Sequence, residues 1–179
     1  MLLRMDPARF EEMYRLLQES LPADEYREPA GQRALLSDPR YTIYTPEDGT
    51  RALLAVWTFE GFTFVEHFAV DRALRGRGIG SDMLRALHKA SDAPVCLEVD
   101  PPTDDISRRR VAFYARNGFI LNPYPYLQPA LGVGKKALPL CVMSAPHALS
   151  EEAFLRVKET LYTQVYQVKA RFPSNPAAL

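Results

Sequence analysis

The feature that most constrains the fold of this chain is a glycine-rich turn between a strand and a helix. Residues 62–70 are rich in β-branched and aromatic side chains, which favours a strand. The turn Arg75-Gly76-Arg77-Gly78-Ile79-Gly80 follows, and residues 81–90 then have apolar side chains at helical spacing. The first turn of a helix has unpaired N–H groups and the positive end of the dipole. The sequence therefore predicts an anion-binding site at this turn.

The glycines and arginines of this turn suit a phosphate group. Gly78 and Gly80 would let the backbone approach phosphate oxygens, and Arg75 and Arg77 add positive charge nearby. The turn lacks the Gly-Lys-Ser/Thr ending of a P-loop, and its glycines are spaced by two, unlike the G-x-G-x-x-G dinucleotide fingerprint. From these residues alone, a tight strand-to-helix turn with two incidental arginines stays an open alternative.

The order of the predicted elements indicates a mixed α/β sheet with helices on its faces. Two N-terminal helices precede three antiparallel strands, after which strands and helices alternate. We predict strands at 2–5, 41–44, 51–59, 62–70, 94–99, 119–126 and 138–144. We predict helices at 7–21, 30–36, 81–90 and 104–117, and a long one after Ser150.

The composition narrows the class of protein. The 179 residues include 22 basic and 22 acidic side chains, and this balance argues against a nucleic-acid partner. No apolar run approaches about 20 residues, and the N-terminus lacks a signal-peptide core, so we expect a cytoplasmic protein without membrane association. Cys96 and Cys141 lie in separate predicted strands with no Cys/His cluster, which predicts reduced thiols and no metal site.

Two segments resemble the signatures of the GNAT superfamily of acyl-CoA-dependent N-acyltransferases. The turn at 75–80 resembles the R/Q-x-x-G-x-G/A motif, and Glu66-His67-Phe68-Ala69-Val70-Asp71 resembles its usual entry. Residues 110–119 resemble the second signature, a helix with Phe-Tyr that ends at Asn-Gly-Phe. Ser107 and Arg110 stand where many members have Asn and Ala, which puts one cofactor contact in doubt.

The resemblance implies a fold class and a domain. The fold is α/β: a mixed, mainly antiparallel central sheet of about six to seven strands flanked by helices. The sheet is splayed between the fourth and fifth strands, often at a β-bulge. We expect a single N-acetyltransferase domain over residues 1–179, with a flexible tail at about 172–179.

The resemblance also implies acetyl-CoA as the acyl donor. The backbone of the turn, listed with its flanking serine as Arg75, Gly76, Arg77, Gly78, Ile79, Gly80 and Ser81, would bind the pyrophosphate. The end of the preceding strand, Phe68, Ala69 and Val70, would hydrogen-bond the pantetheine arm as a partial extra strand.

Two side chains are predicted to be catalytic. Tyr114 matches the position of the family's general acid, which would protonate the leaving thiolate. Glu66 is the first candidate for the base, directly or through a water, and Glu98 on the next strand is its rival. On a regular strand Glu66 shares a face with Phe68, and His67 points the opposite way.

The acceptor side is less constrained by sequence. In this fold it is built from the N-terminal helices and the loop between the last strands, here 23–35 and 122–136, and Tyr124, Tyr126 and Gln128 could line it. We expect a primary amine of a small molecule or peptide, and the C-terminal helix and last strands could pair subunits in a homodimer. A non-catalytic acyl-CoA-binding module of the same fold is the alternative, and a dinucleotide enzyme is a more remote one.

Overall fold

Eight strands form one mixed sheet in the computed structural model, which describes residues 1–168. The strand order is β1-β2-β3-β4-β5-β8-β6, and β7 also pairs with β8. All pairs are antiparallel except β4 with β5. The strands are β1 (Leu2–Arg4), β2 (Tyr41–Pro46), β3 (Ala52–Phe59), β4 (Phe62–Val70), β5 (Val95–Val99), β6 (Ile120–Leu121), β7 (Tyr126–Gln128) and β8 (Leu138–Ala145).

Helices cover both faces of the sheet and bury two apolar cores. The helices are α1 (Phe10–Ser20), α2 (Pro29–Ala34), α3 (Ile79–Ala90), α4 (Asp105–Arg116) and α5 (Glu151–Thr160). One core packs the sheet against α1 and α5, and the other packs it against α3 and α4. The predicted mainly antiparallel α/β architecture is therefore confirmed. No helix among residues 1–168 has the length and apolar character needed to cross a bilayer.

The sheet is splayed between β4 and β5. Their parallel ladder includes only Thr63–Val95, Phe64–Cys96 and Val65–Leu97. Beyond this point β4 stays paired with β3, but it no longer pairs with β5. The predicted opening between the fourth and fifth strands is confirmed, and beyond Val65 no strand among residues 1–168 pairs with this edge of β4.

One predicted strand is wrong. Residues 119–126 contain β6 and only the first residue of β7, which continues to Gln128. Pro123 and Pro125 lie between them, and proline has no N–H to donate to a ladder. Asn122 fixes the bend, because its amide nitrogen donates to Val142 O at 3.1 Å and to Ser144 Oγ at 3.0 Å.

The C-terminal helix changes its winding before it ends. After α5, residues Leu161–Val165 form a π-turn, with a bond of 2.9 Å from Tyr166 N–H to Leu161 O. Gln167 then adopts a left-handed conformation with φ of 53°, which terminates the helix. The predicted long helix is therefore shorter and has an extra residue in its last turn. The predicted flexible tail at 172–179 lies outside the described residues.

Candidate active site

The glycine-rich turn presents a row of unpaired backbone donors. The helix α3 begins at Ile79, two residues earlier than predicted, and its first intrahelical bond runs from Asp82 N–H to Gly78 O at 3.0 Å. Within residues 1–168, the N–H groups of residues 76–81 make no hydrogen bond. Gly76 and Gly78 have φ of 80° and 82°, a conformation that favours glycine. This geometry suits an anion with several oxygens.

Gly80 is required for a different reason, which is close packing. A Cβ atom at this position would lie 3.1 Å from Phe68 Cζ and 3.2 Å from Phe113 Cζ. The two rings belong to β4 and α4, so the first turn of α3 sits directly against both elements. The absence of a side chain at Gly80 therefore brings the turn close to the end of β4.

The two arginines of the turn differ in their roles. Arg75 is exposed, and its Nε donates to Val70 O at 3.0 Å, which fastens the turn to the end of β4. Arg77 is also exposed and lies beside the unpaired N–H groups in the chain. Asp71 supports the entry to the turn, because its carboxylate accepts from Ala73 N–H at 2.9 Å and pairs with Arg51 at 2.8 Å.

A β-bulge at Glu66 turns its side chain to the opposite face of the sheet from the one predicted. Val65 and Phe68 are three residues apart, yet both pack into the core beside α3 and α4. The register between β3 and β4 shifts there, because Ala55 pairs with His67 whereas the next residue pairs with Val65. Glu66 and His67 therefore both turn toward the α1 side. The expectations that Glu66 shares a face with Phe68 and that His67 lies on the opposite face from Glu66 are wrong, since they assumed an unbroken strand.

Glu66 is held in a buried ion pair. Its carboxylate accepts from Arg27 Nη1 and from Trp57 Nε1, the latter at 2.9 Å, and His67 Nδ1 lies 4.0 Å away. The Glu66 side chain is only 3% exposed, and that of Arg27 is 11% exposed. Burial raises the pKa of Glu66, but the charge of Arg27 and the hydrogen bonds from Arg27 and Trp57 outweigh it, so the pKa is lowered overall. Glu66 is accordingly an anion with both oxygens engaged.

Glu98, the rival carboxylate, has a different environment on the opposite strand of the splay. Tyr126 donates to its Oε1, and Tyr166 donates to its Oε2 at 2.6 Å. Burial raises the pKa of Glu98 to about 7, and the two tyrosine hydrogen bonds moderate that rise. A carboxylate with this pKa can both accept and release a proton near neutral pH.

Tyr114 lies on the other face of the splay, in the aromatic cluster beside the glycine-rich turn. Its ring centroid is 6.5 Å from that of Phe68 and 5.7 Å from that of Phe119. Burial raises the pKa of Tyr114 to about 12, Arg110 lowers it, and Glu25 raises it. The phenol is thus protonated at neutral pH, and its hydroxyl makes no hydrogen bond with any residue from 1 to 168.

The two segments predicted to form the acceptor side meet in the structure. Lys135 Nζ donates to Ala23 O at 2.6 Å and lies 3.4 Å from Glu28, while Lys136 N–H donates to Asp24 at 3.1 Å. Of the three side chains expected to line this region, Tyr126 reaches Glu98. Tyr124 instead stacks on Phe154 at 4.8 Å, and Gln128 is buried.

Several residues of the site were not found by sequence reasoning. Arg27 and Tyr166 reach the splay from chain positions far from β4 and β5, and no motif marks them. Trp57 lies in the apolar run of β3, where no sequence pattern distinguishes it from a core aromatic, yet its indole N–H binds Glu66. Glu25 is half-buried, its charge raises the pKa of Tyr114, and burial together with Asp100 raises its own pKa to about 7. Only its neighbourhood in the predicted acceptor segment pointed to it.

Comparison with known proteins identifies the family of this chain. A profile of the acetyltransferase (GNAT) domain matches residues 40–121, which contain β4, the glycine-rich turn and α4. A structure from Bacteroides thetaiotaomicron, provisionally described as a GNAT-family acetyltransferase, is 31% identical with a TM-score of 0.87, covering 94% of this chain and 99% of that one. The chain belongs to the GNAT family and is an N-acetyltransferase.

Two further relatives are more distant. The Bacillus subtilis (strain 168) protein YjbC, provisionally named an acetyltransferase, is 28% identical over 159 residues, which are 87% of this chain and 82% of that protein. An aminoglycoside 6'-N-acetyltransferase complexed with coenzyme A has a TM-score of 0.57 at 13% identity, covering 80% of this chain and 95% of that one. At this identity the second likeness shows a shared fold.

Proposed function

We propose that this acetyltransferase transfers an acetyl group from acetyl-CoA to a primary amine of a small molecule or peptide. The observation that supports the donor most strongly is the row of free N–H groups at residues 76–81, beside the unpaired edge of β4. The backbone of the turn would hold the pyrophosphate. Phe68, Ala69 and Val70 would bind the pantetheine amides in place of the missing strand. The coenzyme A complex of the aminoglycoside enzyme lends support through its common fold.

Direct attack by the amine involves three proton transfers: the nitrogen loses one proton before the attack and a second as the amide forms, and the departing sulfur gains one, so that one proton is released to solvent overall. An alkylammonium with a pKa of about 10 must lose a proton before its nitrogen can form a bond to the thioester carbon. As the carbon–sulfur bond then breaks, the departing sulfur gains a proton. Tyr114 is our candidate for that donor, because its hydroxyl is protonated, has no partner among residues 1–168 and lies in the cluster that contains Phe68.

Glu98 is better suited than Glu66 to accept the proton of the amine. The Glu66 carboxylate is already neutralised by Arg27, which reduces its basicity, whereas Glu98 has no ion-pair partner in residues 1–168. The pKa of about 7 also places Glu98 close to the pH at which a general base is most effective. Glu66 stays a predicted base, and it also holds Arg27 at the bulge.

Measurement of thiol release from acetyl-CoA across a panel of amines tests the reaction. Tyr114→Phe should lower kcat by about 10²-fold, within the range for a lost general acid, while acetyl-CoA binding persists. Tyr124→Phe is the matched control, because its hydroxyl binds Leu149 O away from the splay, and it should retain activity. Acetyl-CoA binding without turnover on any amine would indicate a binding module instead. A melting shift with NAD and none with acetyl-CoA would refute the donor assignment.

A pair of isosteric variants distinguishes the two carboxylates. If Glu98 is the base, Glu98→Gln should remove the acidic limb of the kcat/KM profile and reduce its plateau by about 10²-fold. Glu66→Gln should retain the acidic limb of the kcat/KM profile, and we expect it to change mainly KM or the stability of the protein. The opposite pattern would assign the base to Glu66.

A further inference from the structure

The end of the C-terminal helix lies against the opening between β4 and β5. Val165, the last residue of the π-turn, accepts a hydrogen bond at 2.9 Å from Arg27 Nη2, while Nη1 of the same guanidinium binds Glu66 on β4. The next residue, Tyr166, donates its hydroxyl to Glu98 on β5 at 2.6 Å. The C-terminal segment thus bridges the two strands one residue beyond the last pair of their ladder, Val65–Leu97.

The backbone around Tyr166 is built to hold this position. The π-turn adds a residue to the last turn, and π-turns within helices occur often at functional sites. Gln167 then takes a left-handed conformation that is uncommon for a residue with a side chain, and Val168 N–H closes the motif on Tyr162 O at 2.9 Å. Backbone hydrogen bonds therefore hold the chain on both sides of Tyr166, and its hydroxyl reaches Glu98 from this position.

We propose that Tyr166 is a positioning residue for acetyl transfer: its hydroxyl orients the Glu98 carboxylate and sets the pH range in which that carboxylate accepts the acceptor's proton. This inference rests on the proposed function, with Glu98 as the base. The Tyr166 hydrogen bond occupies Oε2, and Tyr126 occupies Oε1, so the carboxylate is held from two sides. Each oxygen keeps a second lone pair, which leaves Glu98 able to bind an ammonium.

The direction of the effect follows from the groups that face Glu98. The hydroxyls of Tyr126 and Tyr166 stabilise its charged form and lower its pKa, as does the charge of Arg27, whereas Glu66 and burial raise it. Tyr162 is also close enough for the charge of Glu98 to raise the Tyr162 pKa. Loss of the Tyr166 hydroxyl removes one stabilising donor and leaves the other groups in place, so the pKa of Glu98 must rise.

The first test is the pH profile of kcat/KM for Tyr166→Phe. We expect the acidic limb to move up by about one pH unit, which is about a tenfold loss on the acid side, with a nearly unchanged plateau at high pH. Replacement of Tyr166 by 3-fluorotyrosine, a stronger donor of nearly equal size, should move the limb down. The control is Tyr124→Phe, which loses a half-buried hydroxyl elsewhere and should leave the limb in place.

A second measurement separates this inference from the proposed reaction. The Glu98 carboxyl can be titrated by ¹³C NMR in the protein without substrate, with Glu98→Gln to assign its signal. A higher Glu98 pKa in Tyr166→Phe supports the inference even if no amine is acetylated, an outcome that would refute only the proposed reaction. An unchanged Glu98 pKa, or a uniform loss of kcat at every pH in a folded variant, would overturn the role of Tyr166.

Discussion

The buried pair of Arg27 and Glu66 gives a prediction with a large expected effect on stability. Arg27→Met leaves the Glu66 carboxylate, 3% exposed, with Trp57 Nε1 as its remaining close donor. Removal of one partner from a buried ion pair typically costs about 3–5 kcal/mol, because the remaining charge is desolvated without compensation. We expect that loss in the free energy of unfolding at pH 7, measured by urea denaturation.

A double-mutant cycle isolates the interaction itself. Glu66→Gln keeps the shape of the side chain and an oxygen that can accept from Arg27, so its cost should be smaller than that of Arg27→Met. In the double variant neither charge is left unpaired, and the combined cost should fall short of the sum by about 2 kcal/mol. Additivity within about 0.5 kcal/mol would refute the reasoning, because it would mean that the two charges do not depend on each other.

The pH dependence of the same variant provides a second check. The pKa of Glu66 is lower in the folded protein than its ordinary value of 4.5. The ion pair therefore stabilises the wild type fully above about pH 4.5, and this contribution is lost as the pH falls through the folded pKa. In Arg27→Met, burial instead raises the Glu66 pKa. The stability difference between wild type and variant should accordingly begin to narrow above pH 4.5, where Glu66 of the variant takes up its proton, and should narrow further as the pH falls through the lowered pKa of the wild type.

Three further substitutions test the local geometry by urea denaturation. Gly80→Ala puts a Cβ atom 3.1 Å from the Phe68 ring. Although alanine has the higher helix propensity, we expect the free energy of unfolding to fall by about 1 kcal/mol and acetyl-CoA binding to weaken. A gain in stability would contradict this packing. Gln167→Gly should stabilise the protein by about 0.5 kcal/mol, because φ of 53° is strained for a residue with a side chain. A loss of stability would mean that contacts of the glutamine side chain outweigh the backbone strain. Ser150→Ala removes the N-cap of α5, whose hydroxyl accepts a backbone N–H at 3.2 Å, and should cost about 1 kcal/mol; no change would show that solvent caps the helix equally well.

The donor side could be predicted from sequence because it depends on local rules. The glycine-rich turn joins adjacent elements, and its unpaired N–H groups follow from the geometry of any helix start. The apolar spacing of α3 and the Asn117-Gly118 end of α4 likewise depend on neighbouring residues. These local features predict that Tyr114 lies on a helix, without any information on tertiary contacts.

The acceptor side could not be predicted in the same way, because it depends on contacts between distant residues. The bulge at Glu66 is set by the register of β4 against β3, and one inserted residue turned its side chain to the other face. Arg27 reaches Glu66 across 39 residues, and Tyr166 reaches Glu98 across 68. The π-turn that places Tyr166 has no sequence pattern comparable to a helix cap, so an ideal helix was expected.

The most direct test of the central claim is ¹H–¹⁵N chemical-shift mapping during a titration with acetyl-CoA. The account predicts saturable shifts that are largest at the amides of residues 76–81, with a second group at residues 67–70 on the open edge of β4. Both groups should move with a single binding constant, because one ligand would occupy the turn and the splay together. Shifts confined to another surface, or no saturable shift at the turn, would contradict it.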